Sequence, residues 1–342
     1  MTGKRIYRSS NTSILAVNAV DAPRIVTSAE FDERLAETYR RVGLRAGLLE
    51  GLVGIRERRW WGEGVTFVDG AAEAGAKAIS ESGVDPAAIG LMVNTSVSKA
   101  HLEPSTAVAV HHALGLPPDC QNFDVSNACL GFVNGMQIAA AMIDGGQLDY
   151  ALVVNGEDAR PVQETTLDRL TGPGVTTAAQ VMDEFATLTL GSGAAAMVLG
   201  RADLHPEGHR VVGGATRAST EHHELCVGDI QQMRTNSKGL LDAGLELSKA
   251  VWDDAAEDFD WASGMDSYVI HQISQVHTSA LCRMLGIDQA RVPLTFPAYG
   301  NIGPASVPYT LAKFGQELEA GDRVLLMGIG SGLNASLTEL QW

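Results

Sequence analysis

The 342-residue chain is poor in cysteine, proline, aromatic residues and positive charge. Its four cysteines, Cys120, Cys129, Cys226 and Cys282, include no C-x-x-C pair. That absence excludes the usual structural zinc spacing, and no metal is expected. His222, His223, Glu224 and Cys226 cluster in sequence but lack a ligand-loop pattern. Four thiols are too few for a disulfide scaffold, so a reducing compartment, the cytoplasm, is the expected location. Lysine and arginine total 25 against 41 acids, a formal charge of −16. Nucleic acid is therefore not an expected partner, because phosphate binding needs a broad basic face. No apolar run approaches the roughly 18 residues of a membrane span, so no transmembrane segment is expected. The opening MTGKRIYRSSNTSILAVNAVDAP imitates a secretion signal, but Asn18 and Asp21 interrupt its apolar stretch and it reads as a first strand. No G-x-S-x-G elbow occurs, which argues against a serine α/β-hydrolase.

What is present is a large apolar fraction, 45%, with 37 glycines, enough for a packed core with close backbone contacts. IGLMVNTSV (89–97), YALVVNG (150–156), AAAMVLG (194–200), SYVIHQI (267–273) and RVLLMGIG (323–330) read as strands covered on both faces. Between them run helical patterns, such as Phe132, Val133, Met136, Ala139, Ala140 and Ile143. Strands alternating with helices predict an α/β protein. The order also repeats. NFDV, a sharp turn, a helix and then Asp149 before a buried strand are echoed by VPLTF, a glycine-rich turn, a helix and then Asp322. The intervals Cys129–Asp149 and Asn301–Asp322 are 20 and 21 residues. IGLMVNTSV is likewise echoed by DSYVIHQIS. Two similar halves, 1–200 and 201–342, would meet near RADLHPEGHR (201–210).

Cys129 stands between a predicted strand and helix, where the helix macrodipole and backbone N–H groups favour a thiolate. Cys120, Cys226 and Cys282 lack that setting. His271 closes the run SYVI, and Asn301 lies in a turn before a helix. A nucleophile with two hydrogen-bonding groups on strand-end loops suits attack on a thioester and stabilisation of an oxyanion or enolate. Arg56, Arg58 and Arg59 with Trp60 and Trp61 form a basic-aromatic patch able to hold phosphates and stack a base.

These segments resemble the thiolase superfamily, and within it the ketoacyl synthase III-like condensing enzymes. DVSNACLGF (124–132) is similar to that family's nucleophile segment, VIHQIS and YGNIGPAS to its histidine and asparagine segments, and GIRER (54–58) to its coenzyme A-side motif. NTSVSKAHLEPSTA (94–107), LTLGSGAAAMV (188–198) and GNIGPASVP (300–308) resemble the OleA-type branch, which joins two acyl-CoAs. The resemblance implies a thiolase-like fold of two duplicated βαβαβαββ halves in a layered αβαβα arrangement. It implies catalysis by Cys129, His271 and Asn301, with the N–H groups of Cys129 and Gly332 holding the oxyanion. Glu103 matches the branch's α-proton base, which there reaches the active site of the neighbouring subunit of a homodimer. Arg56 and Trp60 would bind coenzyme A, and coenzyme A thioesters would be substrates with no further cofactor. Ser274, where many ketoacyl synthase III enzymes carry asparagine, and the run Ile302–Gly303–Pro304 speak against an ordinary malonyl-carrier reaction. That decarboxylative reaction, or acyl transfer in natural-product assembly, is the alternative. Downstream pathway enzymes would be further partners.

Overall fold

The continuous apolar runs do form strands in the computed structural model, which describes residues 6–229 and 231–342. The strands are β1 (Ile6–Arg8), β2 (Thr12–Asp21), β3 (Arg24–Thr27), β4 (Glu57–Trp60), β5 (Ile89–Asn94), β6 (Gln121–Asp124), β7 (Tyr150–Glu157), β8 (Gly193–Arg201), β9 (His209–Ala218), β10 (Cys226–Gly228), β11 (Met233–Thr235), β12 (Ser267–Ile270), β13 (Arg323–Gly330) and β14 (Asn334–Gln341). The helices are α1 (Ser28–Val42), α2 (Phe67–Ser82), α3 (Thr106–Leu114), α4 (Gly131–Asp144), α5 (Arg160–Thr171), α6 (Ala178–Glu184), α7 (Ser237–Ala255), α8 (Gln275–Leu285), α9 (Phe296–Tyr299) and α10 (Ser306–Phe314).

The sheet order β12-β13-β14-β9-β2-β8-β7-β5-β6 contains one connectivity twice. In the first copy β5 and β7 are parallel, and β8 runs antiparallel to both β7 and β2. In the second, β12 and β13 are parallel, and β14 runs antiparallel to both β13 and β9. The copies join where Ser13 and Ile14 pair with Arg210 and His209. β1 departs from strict succession by adding to β9, in the second copy's sheet.

Strand periodicity sorts side chains into layers. Val93, Val153, Val269, Val324 and Leu326 face inward onto Phe132, Val133 and Met136 of α4 and Val307 and Leu311 of α10. Their neighbours Met92, Leu152 and Val154 face α2 and α3, and Ile270, Leu325 and Met327 face α7 and α8. The result is the αβαβα layering of a thiolase-like fold, with α4 and α10 packed between the two halves of the sheet. Both central helices are apolar around much of their circumference because each covers a sheet on either side. Burying one large side chain such as Phe132 contributes about 2–3 kcal/mol.

One expected strand is not formed. VPLTF has no ladder partner, and the chain passes from irregular backbone into α9. Pro293 has no N–H to donate. Its carbonyl accepts from Gln272 Nε2 at 2.8 Å, and Gln272 Oε1 accepts the N–H groups of Thr295 and Phe296 at 2.8 and 3.1 Å. The side chain of Gln272, just past β12, thus replaces for this segment the ladder that β5 gives β6 in the first copy.

Candidate active site

The turn between β6 and α4 is built to present residue 129. Ala128 has φ 45°, a left-handed conformation rare outside glycine that costs on the order of 1 kcal/mol. It is held by bonds from Leu130 N–H to the Asn127 carbonyl (3.0 Å) and from Gly131 N–H to the Ala128 carbonyl (3.1 Å). Asn127 Nδ2 donates to Asn134 at 2.7 Å, and Asn334 Nδ2 donates to Asn127 Oδ1 at 3.3 Å. The latter bond ties the turn to the β13–β14 hairpin. A Cβ at Gly330 would lie 2.7 Å from the Asn127 carbonyl oxygen, so the hairpin backbone lies directly against the Cys129 turn. Gly332, with φ 120°, is at the hairpin tip.

Burial acts against the thiolate expected from the helix terminus. Cys129 keeps some exposure but is surrounded by protein atoms. Its thiol is pushed up to about 12, first by desolvation and then by Cys226 and Glu157. His271 is held down to about 3 by burial, with His277 adding to the effect. Both shifts favour a neutral thiol and a neutral imidazole at pH 7. A raised thiol pKa means that the reactive anion grows with pH. Alkylation of Cys129 by iodoacetamide, followed by peptide mass, is expected to accelerate about tenfold per pH unit from pH 7 to 10. A rate already level at pH 7 would show a preformed thiolate–imidazolium pair instead.

His271 immediately follows β12, and its N–H continues the ladder to the Met327 carbonyl at 2.8 Å. Its ring is buried and its Nδ1, itself shut off from solvent, has no hydrogen-bond partner among the described residues. Ser274 caps α8 by accepting the His277 N–H at 3.1 Å. Asn301 is held on both sides. Its N–H donates to Thr189 (2.8 Å) and its carbonyl accepts from Gly191 (2.9 Å). Its Oδ1 accepts the Gly303 N–H at 2.9 Å, which orients the amide and leaves Nδ2 as the group able to donate to a ligand. This docking requires glycine: a Cβ on Gly191 would lie 1.8 Å from the Tyr299 carbonyl oxygen. Gly191→Ala is expected to cost about 3 kcal/mol or more, read by denaturant unfolding.

The segments carrying the three residues meet at the C-terminal ends of the strands. The Cys129 turn abuts the β13–β14 hairpin, His271 is bonded to β13, and Gln272 fixes the segment leading to Asn301. Glu157, at the end of β7, was missed by the sequence reading. Its carboxyl carbon would lie 3.8 Å from a Cβ on Gly303, and its charge acts on Cys129. The available signal was a carboxylate closing the apolar run YALVVNG, as His271 closes SYVI.

The other expected residues are dispersed. Glu103 is exposed on the segment between β5 and α3, so its own chain does not enclose it. Arg56 is exposed, but Trp60 is 2% exposed and packs in a core with Phe31 and Leu188. Its Nε1 donates to Gln163 at 2.7 Å, and Arg24 and Arg160 cover its ring. The stacking surface expected of Trp60 is thus already taken. Arg58 is also fully buried: its guanidinium donates to the Ser28 hydroxyl and the Leu188 carbonyl at 3.0 Å each and lies over Phe31. Trp61 is 4% exposed and donates to the Glu157 carbonyl at 2.8 Å. The basic-aromatic sequence patch is mostly core because β4 turns alternate side chains, Arg58 and Trp60, onto one buried face. No helix among the described residues is long and apolar enough to cross a membrane.

The duplicated sheets and sandwiched helices define a thiolase-like α/β enzyme fold. Family models for 3-oxoacyl-[acyl-carrier-protein] synthase III match residues 123–219, and for its C-terminal region residues 261–342. An acyl-CoA:acyl-CoA alkyltransferase of Xanthomonas campestris is 46% identical, covering 97% of this chain and 99% of the relative. That of Shewanella oneidensis is 36% identical, covering 94% and 96%. A solved structure of Xanthomonas campestris OleA with bound lauric acid and lauroyl-CoA superposes with a TM-score of 0.95 at 45% identity, covering 97% of this chain and 99% of that one. The chain belongs to the OleA-type acyltransferases, a branch of the ketoacyl synthase III-like enzymes of the thiolase superfamily.

Proposed function

We propose that the protein joins two long-chain acyl-CoA thioesters by a non-decarboxylative Claisen condensation. The observation that carries this reading is the enclosed Cys129 turn adjoining the segments of His271 and Asn301, in a chain so similar to acyl-CoA:acyl-CoA alkyltransferases. Cys129 sulfur attacks the first thioester carbonyl. The carbon–sulfur bond to coenzyme A breaks, the thiol proton leaves with coenzyme A, and an acyl-cysteine remains. Neutral His271 and the Asn301 amide then hold the carbonyl oxygen of a second acyl-CoA. Glu103 of the partner subunit removes its α-proton, and the resulting carbanion attacks the acyl-cysteine. Cys129 departs as thiolate and is reprotonated, leaving a 2-alkyl-3-ketoacyl product as thioester or, after hydrolysis, free acid. The N–H groups of Cys129 and Gly332 serve the oxyanion, and each such donor is worth about 3–4 kcal/mol of barrier.

In this reading the halves are residues 1–200 and 201–342, the enzyme is a cytoplasmic homodimer, and exposed Arg56 binds coenzyme A phosphate. No cofactor enters the steps. The product would pass to downstream enzymes as the first intermediate of an olefin or β-lactone type pathway. Incubation with acyl-CoA alone tests the reaction: it is expected to yield a doubled-chain ketone after spontaneous decarboxylation. Strict dependence on a malonyl thioester would replace this reading with the decarboxylative one.

A further inference from the structure

Between β5 and α3, residues 100–104 form an exposed run with Leu102 98% exposed. Such a run has no core of its own to hold it, yet two carboxylates grip its ends. On one side Glu157 accepts the N–H groups of Val97 and Ser98 at 2.8 and 3.0 Å and the Ser98 hydroxyl at 2.7 Å. Asn155 Nδ2 adds a fourth donor at 3.2 Å, and Ser98 Oγ in turn accepts the Asp158 N–H at 2.9 Å. On the other side Asp124, the last residue of β6, accepts the N–H groups of Thr106 and Ala107 at 3.1 and 2.8 Å and Asn94 Nδ2 at 3.0 Å. Lys99 pairs with the same carboxylate. Burying a carboxylate is unfavourable unless its oxygens meet donors, and here each meets four, mostly from this one segment.

We propose that Glu157 and Asp124 are positioning residues that hold residues 97–107 as a rigid arm, so that Glu103 is presented at a fixed place before a second copy of the chain arrives. The inference rests on the α-proton role proposed for Glu103. Neither carboxylate touches the reacting atoms in this scheme. Each places Glu103 by fixing the backbone before or after it, and Glu157 also joins the arm to the Gly303 turn that orients Asn301. The geometry favours a clamp over a proton acceptor: both oxygens of each group are already occupied by donors of the chain itself.

The test uses Glu157→Gln and Asp124→Asn in the full-length protein. Each amide substitution puts an NH2 group against donors that the carboxylate accepted. In Asp124→Asn, acylation of Cys129 by acyl-CoA, read by intact mass, is expected to stay within about threefold of wild type; Glu157→Gln also removes a group whose charge acts on Cys129, so it is read by the partition of its acyl-enzyme between condensation and hydrolysis. Condensation is expected to fall at least about tenfold, with the stranded acyl-enzyme released by water instead. A merely structural defect would lower both steps together and leave the partition between condensation and hydrolysis unchanged. Hydrogen exchange gives a readout independent of the reaction: the amides of Val97, Ser98, Thr106 and Ala107 should exchange slowly in the wild type and quickly in the variant that loses their acceptor. Should either variant fail to fold, Ser98→Ala and Lys99→Met remove one bond from each clamp and are expected to shift the partition in the same direction. Normal condensation in folded variants, equal loss of both steps, or fast exchange in the wild type overturns the clamp. A wild-type protein that acyl-CoA does not acylate overturns the reaction on which it rests.

Discussion

Cys129→Ala is expected to abolish acyl-enzyme formation and to reduce condensation by at least about four orders of magnitude. The sulfur is the only group proposed to bond to substrate, and no neighbouring hydroxyl is proposed to substitute for it. Alanine fits the same space, so the left-handed turn at Ala128 and the packing of α4 should persist, and the melting temperature should change little. Intact mass after incubation with lauroyl-CoA distinguishes the outcomes. The wild type should gain one acyl group on residue 129 and the variant none. An acylated alanine variant would assign the nucleophile to another residue. A wild type acylated only on Cys226 would move the active site to the β10–β11 hairpin.

Glu103→Ala is expected to leave acylation of Cys129 intact and to slow condensation about 10²- to 10⁴-fold, the range for loss of a positioned general base. The carboxylate is exposed beside a leucine that is almost wholly exposed, so nothing in its own chain buries it. If it acts across a dimer, mixing Glu103→Ala with Cys129→Ala protein should restore activity. After random re-association about half the dimers are mixed, and each has one complete site, giving about a quarter of wild-type activity. If Glu103 acts within its own chain, no complete site exists in any mixed dimer and the mixture remains inactive. Equal loss of acylation and condensation in Glu103→Ala would remove its assignment as the α-proton base.

Much of the layered fold was legible because its signals are local. Runs such as YALVVNG and RVLLMGIG are apolar at every position because both faces of their sheets are covered. The helical spacing of Phe132, Val133, Met136 and Ile143 marked the central helix. The echo between IGLMVNTSV and DSYVIHQIS is structural, since β5 and β12 hold equivalent places in the two copies. The echo around VPLTF was only partly structural. Its β-rich composition suggested a strand, but Pro293 and the Gln272 side chain redirected its hydrogen bonds. Arg58 and Trp60 misled for a related reason. A charge and an indole side by side resemble a surface patch, whereas strand alternation placed both in a core where Phe31, Gln163 and backbone carbonyls satisfy them.

The sequence by itself determined the α/β alternation, the duplication and the residue types available for thiol chemistry, because periodicity and motif spacing lie along the chain. Only the tertiary structure decided the burial that shifts Cys129 and His271 and the placement of Glu157 between the Cys129 and Asn301 turns. Desolvation is summed over atoms from every element around a group, and the 2.8 Å hydrogen bond from Val97 to Glu157 joins residues 60 positions apart in sequence. Neither quantity is encoded in any one stretch of residues.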